Sequence, residues 1–299
     1  MKVISGIIAA IGAVSLTFLL FVAGYYACSL PITTEVLSQN TSKYEISPYT
    51  LDDLNTLAVA CRDYTVDARA AGTTEEDARA TFNSKLMEAA THSATRYLSN
   101  GTSASDADKQ KEEAWENLLT ALKQKDPDNA FGAEDVNATA TAMAAKSDAY
   151  ALDEDAFQHL DDCNKLINSI EPCSKYFLVV AIVCLLLLLV LRRWRALGRM
   201  LSIAPIALLV MFAFAGAWAV VDFNSFFAAF HGVFFPQGNW TFSSESLLIC
   251  MYPTAFWMAM GGLWLATTVV ASIIFLFLSR PFYRLADRKE NDETGESNV

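Results

Sequence analysis

Tyr176–Arg199 reads YFLVVAIVCLLLLLVLRRWRALGR. Sixteen uncharged residues, Tyr176–Leu191, run straight into Arg192, Arg193, Arg195 and Arg199. An apolar run like this crosses a bilayer as a helix, because only a helix satisfies its own backbone there. A span needs about 20 such residues, and Trp194 can carry this one to the interface. Three more uncharged runs follow the same logic: Val3–Ala27, Met200–Val221 and Pro253–Ser279. The stretch between the first and second runs is too polar for membrane. The expected fold is all-α: a four-transmembrane-helix bundle with a mainly helical extracytoplasmic domain between helices 1 and 2.

Basic residues set the expected orientation. Four arginines stand in 192–199, and Arg280, Arg284, Arg288 and Lys289 follow the last run. Asp222–Tyr252 has no lysine or arginine. The positive-inside rule then puts both termini in the cytoplasm of a multi-pass cell-membrane protein. The expected divisions are helix 1 at 1–27 and an extracytoplasmic helical domain at 28–174. Helices 2 and 3 occupy 175–221, with a basic cytoplasmic loop at 192–199. An extracytoplasmic aromatic loop at 222–252, helix 4 at 253–279 and a cytoplasmic tail at 280–299 complete the chain. Gly24–Ser29, GYYACS, has the outline of a lipoprotein cleavage site. The tyrosines before Ala27 fit such a site poorly, and the first run is longer than a signal core, so an uncleaved anchor is expected.

Pro31–Ser174 holds 26 acidic and 12 basic residues and little Val or Ile. That favours helix over strand and argues against nucleic acid or anionic headgroups as partners. Helix starts are expected near Leu51, in Gly72–Ala78 (GTTEEDA) and near Ser105, the second with Thr as its cap and acids in its first turn. A further helix, LDEDAFQHLDDCNKLINSI, is expected to stop before Pro172. The stretch 71–149 shifts in composition toward Ala, Thr and Asp, and reads as a peripheral insertion that packs weakly on the membrane core. Cys28, Cys61, Cys163 and Cys173 lie on the expected outer side, where three pairings or free thiols are open. No Cys/His spacing suits a structural zinc.

The chain has three histidines. His92, in THSATRY, reads as a solvated helix residue. His159 lies in AFQHLDDC before the second span, and His231 in FFAAFHGVFFPQGNWTF (Phe226–Phe242), where seven of seventeen residues are aromatic. With Pro172 breaking the helix, the segment carrying His159 can fold back, so both rings can face one outer-leaflet cavity. Asp162, three residues on, is placed to accept a hydrogen bond from His159 and fix its tautomer. No nucleophile elbow, phosphate loop or HExxH motif is present. A buried neutral imidazole is a competent general base.

These residues form a pattern. Phe230-His231, Phe234-Phe235, Gly238, Trp240, Leu248-Ile249 and Tyr252-Pro253 resemble F-H-x-x-x-F, then W, then L-I-x-x-[FY]-P. His159-Leu160 with Asp162 resembles an upstream H-L-x-D motif. Together with the four spans they resemble the lipoprotein intramolecular transacylase (Lit) family of bacterial integral membrane proteins. The likeness is loose over Met1–Asp67 and good over Asp153–Lys289, and does not include 71–149; Cys163 stands where the family usually has an aliphatic residue.

The resemblance implies an enzyme that moves the sn-2 acyl chain of a diacylglyceryl-cysteine to its α-amino group, leaving an N-acyl lyso-lipoprotein. It implies catalytic roles for His159 and His231, the assignment of base and electrophile being open. Asp162, Phe230, Phe234, Phe235, Asn239 and Trp240 would orient or bind substrate. No metal and no cofactor are implied; the partners are membrane lipids and diacylglyceryl-modified lipoproteins. Two other readings use the same residues: a non-catalytic membrane scaffold presenting the acidic helical domain, and a metal site of His159, Asp162 and His231.

Overall fold

A computed structural model describes residues 2–67, 72–99, 105–132 and 134–294. Ala71, where the expected insertion begins, and 295–299, the end of the expected tail, lie outside the described residues. Of the described residues 83% are helical, and none of them lies in a strand. It divides into two compact units.

The apolar unit comprises Met1–Cys28, Ser169–Phe230 and Gly262–Val299. Four helices are long and apolar enough to cross a membrane: Lys2–Cys28, Glu154–Val190, Trp194–Val221 and Thr254–Asp292. We label these α1, α8, α9 and α12, the last running on to Thr294. The chain is an all-α membrane protein. Ala9, Ala13, Leu16 and Leu20 of α1 pack with Met200, Leu201, Ala204 and Leu208 of α9, all buried. The three-and-four spacing puts each set on one helix face. Small residues let the helices approach closely. Gly24 is required for this reason: a β-carbon there would run into the Trp264 indole, whose Nε1 donates to the Phe21 carbonyl at 2.9 Å. The RRWR turn closes α8 with Arg192 in the left-handed region (φ 50°). Arg193 N–H then reaches back to the Leu188 carbonyl at 2.8 Å, satisfying an end carbonyl of the helix.

One proline expectation is corrected. α8 does not stop before Pro172 but continues through it for 37 residues, and α12 carries Pro281 inside. A proline removes one N–H and strains one turn. The apolar residues beyond Pro172 need every backbone group bonded within the helix, and that demand prevails. The stretch beyond Ser279 accordingly begins as helix rather than as a free tail.

The polar unit comprises Ser29–Asn168 and His231–Gly261. It contains α2 (Pro31–Thr41), α3 (Leu51–Val66), α4 (Glu75–Ser99), α5 (Asp106–Ala121), α6 (Pro127–Phe131) and α7 (Val136–Lys146). The start of α8, the end of α10 (Phe223–Phe234) and α11 (Leu247–Met251) complete it. The Thr cap expected in Gly72–Ala78 is present, and two further helices are capped in the same way. Thr50 accepts from Asp53 N–H, Thr74 from Asp77 N–H and Ser105 from Asp108 N–H, each at 3.1 Å. His92 is largely exposed, as expected, but its Nδ1 lies 2.8 Å from the Asp53 carboxylate in the α3 cap.

Within the polar unit, the described helices of 71–149 share one core with α3. Phe82 and Leu86 of α4, Trp115 of α5, Phe131 of α6 and Met143 of α7 are almost fully buried, in one core with Tyr49 and with Leu54 and Leu57 of α3. Trp115 Nε1 donates to the Pro48 carbonyl at 2.9 Å. The Lys111 ammonium, buried, donates to the Tyr49 carbonyl at 3.0 Å. The alanines that diluted the hydrophobic signal are themselves interior: Ala78, Ala89, Ala90 and Ala94 are all buried.

Candidate active site

Two segments of the polar unit carry the site. α8 begins at Glu154 because Asp153 caps it, accepting from Ala156 N–H at 2.9 Å. Phe157 and Leu160 point into the core. Asp161 accepts from the Tyr64 hydroxyl at 2.6 Å, and Asn164 donates to the Thr65 carbonyl at 2.7 Å. These contacts fix the rotation of α8 on α3, and with it the direction of His159. The second segment is HGVFFPQGNWTF (His231–Phe242). Phe235 N–H bonds the His231 carbonyl at 2.6 Å, ending α10. Phe235-Pro236-Gln237-Gly238 then turns the chain, with Gly238 N–H on the Phe235 carbonyl at 3.2 Å and Gly238 at φ 84°. Proline second and glycine fourth are what such a turn prefers. The reversal brings Trp240 back to within 5.0 Å of the His231 ring, centroid to centroid.

The two imidazoles come together. Their centroids are 5.8 Å apart at an interplanar angle of 33°, and each residue is 8% exposed. Phe235 closes the space between them, edge-on to His159 at 4.9 Å and 5.7 Å from His231. Phe242 lies 5.8 Å from His159. Burial, and next the neighbouring His231, pull the His159 pKa down to about 4, with Asp162 opposing weakly. The ring is therefore neutral at neutral pH. Its Nε2 lies 3.7 Å from Cys163 Sγ, and its Nδ1 is buried with no hydrogen-bond partner among the described residues. Burial pushes the Cys163 thiol up to about 12, so sulfur keeps its proton.

Asp162 does something other than the sequence suggests. It is not hydrogen-bonded to His159. Its carboxylate accepts from Lys165 at 2.9 Å, from Gln237 Nε2 at 2.6 Å and from Asn239 Nδ2 at 3.4 Å. The Lys165 contact, and then the Gln237 one, hold its pKa below the usual carboxylate range. Asp162 ties the aromatic turn to α8. Asn239 Oδ1 is buried without a partner among the described residues. Phe230 and Phe234 are half-exposed on α10.

Gln237, Phe242 and Cys163 are additions that sequence reasoning did not assign to the site. Gln237 carried no signal beyond its place in the turn, whereas Phe242 stood in the quoted aromatic stretch. Among the described residues no three His, Cys, Asp or Glu side chains converge as a metal set, since Asp162 faces Lys165 and Gln237. Cys61, Cys163, Cys173 and Cys250 are free thiols.

Comparison with curated proteins returns no match. Among solved structures the chain is similar to the membrane-integral lipoprotein intramolecular transacylase Lit from Bacillus cereus. Identity is 16% and the TM-score 0.43, over 97% of this chain and 99% of that one. A family model described as lipoprotein intramolecular transacylase Lit matches residues 109–257, a span holding both histidines, the turn between them and part of the 71–149 stretch set outside the expected likeness. Over residues 109–257 the chain is thus similar to the lipoprotein intramolecular transacylase Lit family.

Proposed function

We propose that the histidine pair carries an O-to-N acyl transfer within a diacylglyceryl-cysteine, moving the sn-2 chain to the cysteine's own α-amino group. The observation that carries this is two buried imidazoles 5.8 Å apart in an aromatic enclosure. The substrate supplies both nucleophile and electrophile, so the protein needs no serine or cysteine nucleophile. Its work is to hold amine and ester together, accept a proton and stabilise an oxyanion.

The two rings are assigned different roles. The Cys163 S–H is placed to donate to His159 Nε2, which leaves the proton on Nδ1. That buried N–H, without a protein partner, is the proposed oxyanion donor. His231 is the proposed general base. The amine nitrogen attacks the sn-2 carbonyl carbon, forming the C–N bond, and the carbonyl oxygen becomes the oxyanion. His231 takes the proton from nitrogen. Collapse breaks the C–O bond to glycerol, and the same proton passes to the departing glyceryl oxygen. Phe235, Trp240 and Phe242 exclude water that would hydrolyse the ester, and Phe230 and Phe234 offer apolar surface for acyl chains. We place the pair on the outer face, with Arg192–Arg199 and Arg280–Lys289 on the inner one. Holding amine and ester in reach supplies much of the rate.

The test is acyl analysis by mass spectrometry of a lipoprotein co-expressed with each variant. A general base contributes roughly 10²–10⁴-fold and one oxyanion donor about 10²–10³-fold. H231A and H159A are expected to abolish detectable N-acylation with the protein still inserted, while His92→Ala leaves it unchanged. Full N-acylation by H231A would overturn the assignment.

A further inference from the structure

One face of α12 changes its chemistry part-way along. Val270, Ile273 and Phe277 follow three-and-four spacing and are exposed, so in the membrane they meet acyl chains. The same spacing continues as Arg280, Arg284 and Arg288, all exposed. At about 100° per residue, these side chains fall within about 80° of one another around the helix axis. Thr268, Ser272 and Ser279, on the opposite side, are buried. The arginines therefore stand on the face that lipid covers, directly beyond its apolar part.

The rotation of this segment is fixed within the apolar unit. Tyr283 Oη lies 2.9 Å from Ser202 Oγ of α9. Arg195, at the start of α9, reaches Asp287 at 2.7 Å and Glu290 at 2.8 Å. Both carboxylates are thereby drawn toward α9, and among the described residues none pairs with Arg280, Arg284 or Arg288. Asp292, one turn beyond Arg288, ends the stripe. Depth is marked separately. The Trp194 ring stacks on Phe282 at 6.3 Å and 18°. Tryptophan collects where acyl chains give way to headgroups. Arg280 and Arg284 stand two residues to either side of that level, with Arg280 over the Phe277 ring at 4.2 Å. Arg288 lies about 6 Å further along the axis than Arg284.

We propose that Arg280, Arg284 and Arg288 form a docking face for anionic phospholipid headgroups in the leaflet beside the RRWR turn. The charge is complementary to a phosphate diester. The face also continues from apolar surface that the chains of the same lipid cover, so one molecule can meet Phe277 with a chain and the arginines with its phosphate. The inference is independent of the acyl-transfer reading.

Full-length protein in detergent micelles is given equal amounts of phosphatidylglycerol and phosphatidylcholine, and the lipids it retains are counted by native mass spectrometry. Phosphatidylglycerol is expected to be retained at least about fivefold over phosphatidylcholine, the factor for one basic residue at an anionic surface, about 1 kcal/mol. The preference is expected to shrink as salt rises. R280Q/R284Q/R288Q is expected to lose most of it. R280K/R284K/R288K keeps the charge and is expected to keep the preference, which tells lost charge from a lost fold. R199Q removes an exposed arginine of α9, off the stripe, and is expected to keep it too. Equal retention of the two lipids by the parent, an unchanged preference in the glutamine variant, or an equal loss in the lysine variant or in R199Q would overturn the docking face. Inorganic phosphate is expected to displace no more lipid than chloride at the same ionic strength. Displacement by phosphate alone would make the stripe a general phosphate site and overturn the lipid assignment.

Discussion

Neutrality of His159 is a property of its surroundings, and it has a cost that can be measured. An unfolded histidine titrates near 6.5. Burial lowers the folded value to about 4. Between those values the unfolded chain binds a proton that the folded chain refuses. Stability is therefore complete above about pH 6.5 and falls as pH drops through 4, by up to about 3 kcal/mol. H159F removes the titrating group while keeping a ring in the enclosure. Thermal unfolding in detergent at pH 7 and pH 4.5 is expected to show a smaller pH effect in H159F than in the parent. Identical pH effects in the two proteins would mean that the ring is solvated.

At the scale of elements, Asp162 joins the start of α8 to the aromatic turn by hydrogen bonds, beside the contacts between rings. It accepts from Lys165 on its own helix and from Gln237 and Asn239 in the turn. D162N keeps the shape, but its amide offers only one accepting oxygen to those three donors and loses the charge. Charge-assisted bonds are about twice as strong as neutral ones. The turn around Gly238 is expected to loosen, and the His231–Trp240 contact with it. We expect a partial loss of acyl transfer, faster amide exchange in 235–242 and little change in global stability. Unaltered exchange in that stretch would show that the rings alone hold the turn.

Asp162 also marks where sequence reading ends. Its three-residue spacing from His159 allowed a contact, but the helix rotation set by Tyr64 and Thr65 gave its carboxylate to Gln237, 75 residues away. The Thr74 cap was legible because its chemistry closes within one turn. The apolar spans and the pairing of His159 with His231 were legible too, the first by composition and the second by motif. Continuity of α8 through Pro172 was not. The local rule for proline and the backbone demand of the apolar run conflict there, and only the second prevails in the folded chain.

At the scale of the whole molecule, the stretch 71–149 decides whether the site has a foundation. His159 is aimed by α8, α8 is seated on α3, and α3 shares its core with α4 and α5. Trp115 sits in the middle of that core. It is 0% exposed, T-shaped against Tyr49 at 5.4 Å and against Phe131 at 5.8 Å. Its indole N–H also satisfies the Pro48 carbonyl next to the Thr50 cap of α3. W115A opens a cavity and strands that carbonyl, a loss of about 3–5 kcal/mol. Removing 75–146 altogether would uncover Leu54 and Leu57, both 0% exposed. The expected outcome is a steep fall in unfolding temperature for W115A, with N-acylation lost in parallel. The deletion is expected to aggregate on extraction even though its four apolar helices are untouched. W115F, which keeps the ring and loses only the N–H, should fall between W115A and the parent. A deletion protein that extracts as one monodisperse species and still acylates would show that α3 and α8 stand without this core.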